Sequence, residues 1–225
     1  MAGRGNLEAV MPIEHPRILM FRDGQWRQAK EPLHTDKPEI AGIGLGMSFA
    51  EELLTDDPET AIGLIPCAVG GTPLYRWMPG ADLYQQAVAV TQDALKEGDL
   101  KGILWHQGET DSSRLDDASS YGKRLREMIL ALRQEFQTPA CPVLAGELGD
   151  FLEKRAECAY FTIINSALYQ LSEELPMYRH VSSFGLKHAG EFLHFDAASL
   201  REFGRRYARA YRALTAIHTS MDRSA

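Results

Sequence analysis

At 225 residues with 44% apolar side chains, the chain is long enough for one globular domain with a full core. Its formal net charge of −7 argues against nucleic acid or an anionic membrane as a partner and leaves a neutral glycan open. No apolar run approaches the roughly 18 residues of a membrane-spanning helix. The three cysteines, Cys67, Cys141 and Cys158, have no metal or redox spacing and read as buried free thiols.

In chain order, Pro16 to Phe21 reads as a strand closed by the turn Asp23-Gly24, and Gln25 to Pro38, with two prolines and mixed charge, as a long loop of the kind that shapes a substrate mouth. A helix is predicted over Ile43 to Leu54. Its glycines, Gly42, Gly44 and Gly46, follow no clear strand and precede no Lys-Ser/Thr pair, which excludes a phosphate loop. Ala61 to Val69 is the second strand, Ala81 to Lys96 a helix, and Gly102 to Trp105 the third strand. Tyr121, Leu125, Met128, Ile129, Leu132 and Phe136 repeat at helical spacing. Pro142 to Glu147 is the fourth strand, followed by a helix carrying Tyr160, Ile164, Leu168, Leu171 and Leu175. Arg179 to Ser182 is read as a fifth strand. The last helix buries Phe203, Tyr207, Tyr211 and Leu214. Strands alternating with helices indicate an α/β three-layer sandwich on a parallel sheet, without repeats or a linker, so residues 1–225 are expected to form a single domain.

Polar chemistry gathers at the ends of these strands. Trp105-His106-Gln107-Gly108-Glu109-Thr110-Asp111 follows the third strand at once, and in an open parallel sheet the ligand crevice lies at the carboxyl ends of the strands. The second strand ends in Gly70-Gly71-Thr72. Ahead of the last helix, Glu191 stands three residues before His194. No pair of histidines lies i, i+4 on a helix and no Cys/His cluster occurs, so neither a catalytic metal nor any other cofactor is expected.

These three segments, in this order, resemble the SGNH hydrolases, and more narrowly the carbohydrate acetylesterases related to sialate O-acetylesterase and acetylxylan esterase (carbohydrate esterase family 6). That group pairs a Gly-Gly-Thr turn with Trp-x-Gln-Gly-Glu-x-Asp and a late Asp-x-x-His, and the likeness runs from Met1 to about Ala210. The resemblance implies a flavodoxin-like sheet of order 2-1-3-4-5 and removal of O-acetyl groups from a carbohydrate or related small ester by a Ser-His-acid mechanism. His194 would be the general base and Glu191, in the place of the usual Asp, its orienting acid. Gly71 through its backbone N–H and Gln107 through its side-chain amide would be the oxyanion donors. A glycine suits such a position because no Cβ blocks the substrate.

Gly70 is assigned to the turn. Glu109 is read as a residue that hydrogen-bonds the site or fixes its loops. Asp111 has that reading or a helix cap, and His188 that of a substrate contact or an exposed loop residue. Trp77 fits a sugar-stacking ring and a core residue equally.

The family places its nucleophile in a Gly-Gln-Ser-Asn-Met-Ala-Gly-Arg-Gly stretch after the first strand. This chain opens Met1-Ala2-Gly3-Arg4-Gly5. The expectation is therefore that the nucleophilic serine and the central strand leading to it are absent from the chain, which leaves two strands with unpaired edges. Ser48, Ser112, Ser113 and Cys67 lie in no arrangement suited to replace it. The rivals are a noncatalytic carbohydrate-binding protein on a decayed hydrolase fold and a nucleotide-binding flavodoxin-like protein, the latter lacking its phosphate loop. No leader is legible at Met1, which points to the cytoplasm for the chain as written and to an extracellular or periplasmic place if a leader precedes it. The oligomeric state is not legible.

Overall fold

The computed structural model describes residues 2–55 and 59–222. Met1, Asp56 to Pro58 and Arg223 to Ala225, which the single-domain expectation also spans, lie outside the described residues. The fold is mixed α/β, with six strands and five α-helices among the described residues: β1 (Ile18–Arg22), β2 (Gln25–Gln28), α1 (Gly46–Leu53), β3 (Ile62–Leu64), α2 (Asp82–Ala94), β4 (Ile103–Trp105), α3 (Leu115–Glu135), β5 (Val143–Gly146), α4 (Phe161–Glu174), β6 (Tyr178–Val181) and α5 (Ala197–Asp222).

Each core strand divides its side chains between two helical layers, as the two-residue period of a strand requires. On β5, Val143 and Ala145 enter a cluster with Leu125, Ile129, Ile164 and Leu168 from α3 and α4. Leu144 points the other way, into a cluster with Phe49 of α1 and Phe203 and Tyr207 of α5. All four β5 residues are buried, which is why the segment reads as a continuous apolar run rather than an alternating one. The α1–α5 contact depends on Gly204, where a Cβ would overlap Ser48 Oγ and the Leu45 carbonyl.

The loop expected over Gln25 to Pro38 is corrected at its start. Asp23 and Gly24 both have positive φ, and β2 folds back antiparallel on β1, with Phe21 opposite Trp26. Trp26 packs edge-on to Phe21 and carries the hairpin, since the other β2 side chains are exposed. The second strand is shorter than expected: ladder pairing stops at Leu64, and residues 65–69 continue without a partner strand.

The strands do not form one sheet. They lie in two three-stranded sheets of order β2-β1-β3 and β4-β5-β6, with the β1–β3, β4–β5 and β5–β6 pairs parallel. Among the described residues β3 pairs only with β1, and β4 only with β5. Between these two edges lies a cavity of about 1310 Å³, bounded by residues 60–72 on one side and 97–107 on the other. α1 holds the halves together. Met47 and Ala50 pack on β1, while Phe49 packs among the α5 residues. Among the described residues no helix is long and apolar enough to cross a membrane.

Candidate active site

The three sequence motifs meet at the carboxyl-terminal end of this cavity. Gly70, Gly71, Gln107, Glu109 and His194 all line it, together with Arg4 from the start of the chain.

His194 and Glu191 sit in the segment between β6 and α5. The chain there is pinned on both sides of the histidine: Ala189 N–H donates to the His194 carbonyl (2.8 Å) and Asp196 N–H to the Lys187 carbonyl (2.9 Å). Glu191 Oε1 accepts from His194 N–H at 2.9 Å and lies 3.1 Å from His194 Nδ1. One carboxylate oxygen thus fixes both the backbone and the ring. With Nδ1 turned to the acid, Nε2 is the ring nitrogen left for a reacting group. The pair is half-exposed.

Gly71 occupies a left-handed conformation (φ 74°) that a Cβ would strain. Gly70 N–H donates to Asp36 Oδ2 (2.8 Å), so Gly70 belongs to the support of the turn. Gly71 N–H has no protein acceptor among the described residues.

Gln107 is more engaged than the sequence indicates. Its Nε2 donates to the Thr72 carbonyl (3.0 Å) and to Asp111 Oδ2 (2.7 Å), so both amide hydrogens are on protein acceptors. Tyr121 O–H, from α3, donates to the Gln107 carbonyl (2.7 Å), lies 3.1 Å from Oε1 and accepts from Trp105 Nε1 (3.0 Å). From the opposite face, Tyr207 O–H donates to the Trp105 carbonyl (2.7 Å). Two buried tyrosines, one from each helical layer, therefore grip the end of β4.

Asp111 is buried and caps no α-helix: it accepts from Leu74 N–H (2.8 Å) and Gln107 and pairs with Arg124 (2.9 Å). Glu109 Oε1 stands 4.0 Å from His106 Nδ1. His106 is packed edge-on by Phe195 and Phe203, with Nε2 3.2 Å from the Glu147 carbonyl. Burial pushes its imidazole down to about 4, so it is neutral at physiological pH.

His188 lies outside the cavity lining. Its Nδ1 accepts from Gly190 N–H (2.9 Å) and its ring stacks on Phe192 at 4.0 Å, which favours the loop reading. Trp77 is buried against Trp105 and donates to Thr72 Oγ1 (3.0 Å), a core position rather than a sugar platform.

Sequence reasoning missed Arg4, Asp36 and Arg124. Each is a charged residue whose local sequence resembles a solvated surface. Only the fold buries Arg4 against Asp36, with 8% and 6% of their side chains exposed.

Ser113 is the one serine lining the cavity among the described residues, and its hydroxyl donates to the Thr110 carbonyl (2.8 Å). Ser112 is committed in the same way to the Glu109 carbonyl, and Ser48 to the Leu45 carbonyl. Burial pushes the Cys67 thiol up to about 11 and raises that of Cys158, so neither lining cysteine is a thiolate. Among the described residues no group of three His, Cys, Asp or Glu side chains could hold a metal.

The fold is thus mixed α/β with parallel strand pairs, and an acid–histidine pair and the Gly71 N–H lie at the strand ends. The family model for carbohydrate esterase, sialic acid-specific acetylesterase (SASA) matches residues 1–213, and the chain belongs to that family. It is 31% identical over 94% of its length to the Arabidopsis thaliana protein named "Probable carbohydrate esterase At4g34215", covering 86% of that protein. The X-ray structure of that Arabidopsis protein superposes with a TM-score of 0.85 at 30% identity, over 95% of this chain and 93% of that one. NanS has the same fold, with a TM-score of 0.74 at 19% identity over 94% of this chain and 92% of its own. So does XAC1771, a carbohydrate acetylesterase from Xanthomonas citri, with a TM-score of 0.64 at 20% identity over 88% of this chain and 48% of its own.

Proposed function

We propose that the site hydrolyses O-acetyl esters of a carbohydrate by a serine mechanism, and that the serine is delivered by a strand seated in the slot between β3 and β4. One observation carries this reading. The cavity that holds His194 and the free Gly71 N–H at one end continues between two unpaired parallel edges. A single strand there would satisfy both ladders and end beside the histidine.

In this mechanism His194 Nε2 takes the serine proton as Oγ attacks the acetyl carbonyl. The carbonyl oxygen, now negative, is held by Gly71 N–H and by Gln107, which exchanges the Thr72 carbonyl for it. His194 returns the proton to the departing sugar oxygen. Water then cleaves the acetyl-serine by the same steps in reverse order, releasing acetate. Glu191 orients the imidazole and balances its charge without taking a proton.

The test is hydrolysis of an aryl acetate by the 225-residue chain and by the chain extended upstream through the strand. The extended chain turns over and is labelled by a serine-directed reagent, whereas the unextended one is silent. Full activity and stoichiometric labelling of the unextended chain refute the assignment. A noncatalytic glycan-binding role is the second reading, favoured by the commitment of Ser113, the one cavity-lining serine among the described residues, to the Thr110 carbonyl. It requires the extended chain to bind an acetylated sugar without cleaving it.

A further inference from the structure

We infer that Asp36 and Asp111, each with its arginine, are positioning residues that aim the oxyanion donors by clamping the Gly70-Gly71-Thr72 turn from two sides. The inference rests on the role proposed above for Gly71 and Gln107.

The turn lies beyond the end of the β3 ladder and has no strand to hold it. Its support comes instead from two buried carboxylates. On one side, Asp36 Oδ2 accepts from Gly70 N–H at 2.8 Å and from Arg4 Nη2 at 2.6 Å. Arg4 is itself anchored, with Nη1 donating to the Gly3 carbonyl at 3.0 Å and the Ala2 carbonyl at 3.2 Å. On the other side, Asp111 Oδ2 accepts from Leu74 N–H at 2.8 Å and Gln107 Nε2 at 2.7 Å, while Oδ1 takes Arg124 Nη2 at 2.9 Å. Gln107 closes the bracket by donating to the Thr72 carbonyl. Of the N–H groups in this turn, that of Gly70 is taken by Asp36, while those of Gly71 and Thr72 have no protein acceptor among the described residues.

Stability alone does not explain this arrangement. Buried ion pairs are poor stabilisers next to a well-packed apolar substitute. The Asp36 pair even leaves Oδ1 buried without a partner among the described residues. What a charged, multiply bonded carboxylate does supply is a fixed acceptor of defined direction. A preorganised oxyanion donor needs that, because misplacement by a fraction of an ångström loses transition-state stabilisation.

Amide exchange on the ¹⁵N-labelled 225-residue chain reads the clamp directly. Asp36→Ala should speed exchange at Gly70 roughly tenfold or more while leaving Leu74 unchanged, and Asp111→Ala should do the reverse. Asp36→Asn keeps an acceptor for Gly70 N–H and should restore its protection. Arg124→Met, which removes the guanidinium held by Asp111 Oδ1 and leaves the carboxylate in place, serves if Asp111→Ala does not fold. In the esterase-active chain, Asp36→Ala should lower kcat roughly tenfold or more with KM little changed, and Asp36→Asn should recover most of the loss.

Unchanged exchange at the targeted amides overturns the inference. So does a uniform rise at all amides with kcat per folded molecule intact, the signature of general destabilisation. If no form of the chain hydrolyses an acetyl ester, the proposed function fails, while the exchange data still decide whether the carboxylates hold the turn.

Discussion

Acid should destabilise this protein through one buried imidazole, and the size of the effect follows from where His106 sits. Its ring is enclosed by Phe195 and Phe203 and its side chain is 6% exposed. Burial holds the folded-state value at about 4, whereas the unfolded chain titrates near the ordinary 6.5. The unfolded state therefore takes the proton first. Stability is fully present above about pH 6.5, falls as the pH drops toward 4, and loses nothing more from this group below that. Between pH 7 and pH 5 the linkage relation gives a loss of about 2 kcal/mol from His106 alone. His34, which burial pushes down to about 3, adds in the same direction.

Urea melts at the two pH values, on the natural chain and on His106→Gln, separate the contributions. Gln cannot titrate, so the pH-dependent loss should shrink by about 2 kcal/mol in the variant while the His34 share persists. The variant will be less stable at pH 7 because packing is lost, and that offset cancels in the difference between pH values. Identical pH dependence in both proteins would show that His106 is not the group that resists protonation.

Three further outcomes follow from the geometry. In the esterase-active chain, Gln107→Ala should lower kcat roughly a hundredfold or more with a smaller change in KM. Near-normal turnover with a lower Tm would leave Gln107 only its tie between Thr72 and Asp111. Glu191→Ala should cost less activity than His194→Ala, because the acid orients the base and transfers no proton; kinetics unchanged by Glu191→Ala would remove it from the mechanism. Gly204→Ala should destabilise by about 1–3 kcal/mol in a thermal or urea melt, although alanine is the better helix former, because its Cβ has no space against α1. A more stable variant would show that α1 and α5 do not meet as described.

The helices were the most legible part of the fold. α3 and α5 bury Tyr121, Leu125, Met128 and Ile129, and Phe203 and Tyr207, at helical spacing that survives any tertiary context. β4 and β5 were legible as short apolar runs with punctuated ends. β2 was not. Only Trp26 among its residues is shielded from solvent, so Gln-Trp-Arg-Gln shows no alternation, and the Asp23-Gly24 turn was the sole signal of a returning strand.

At the site, the motifs named the residues that gather round the cavity but not their supports. Asp36 lies in a charged loop and Arg124 on a helix rich in charge. Nothing near either in sequence shows that it pairs in the interior, because that burial is decided by segments tens of residues away. The engagement of both Gln107 amide hydrogens was hidden for the same reason, since Thr72 and Asp111 come from different loops.

The break between β3 and β4 also bears on how the chain meets other chains. A bare strand edge normally templates open-ended growth, because each added strand exposes a fresh edge. Here the two edges border one cavity. The first strand to enter satisfies both and offers no new edge to a second. A strand seated at this gap would therefore leave no free edge there for a second to pair with.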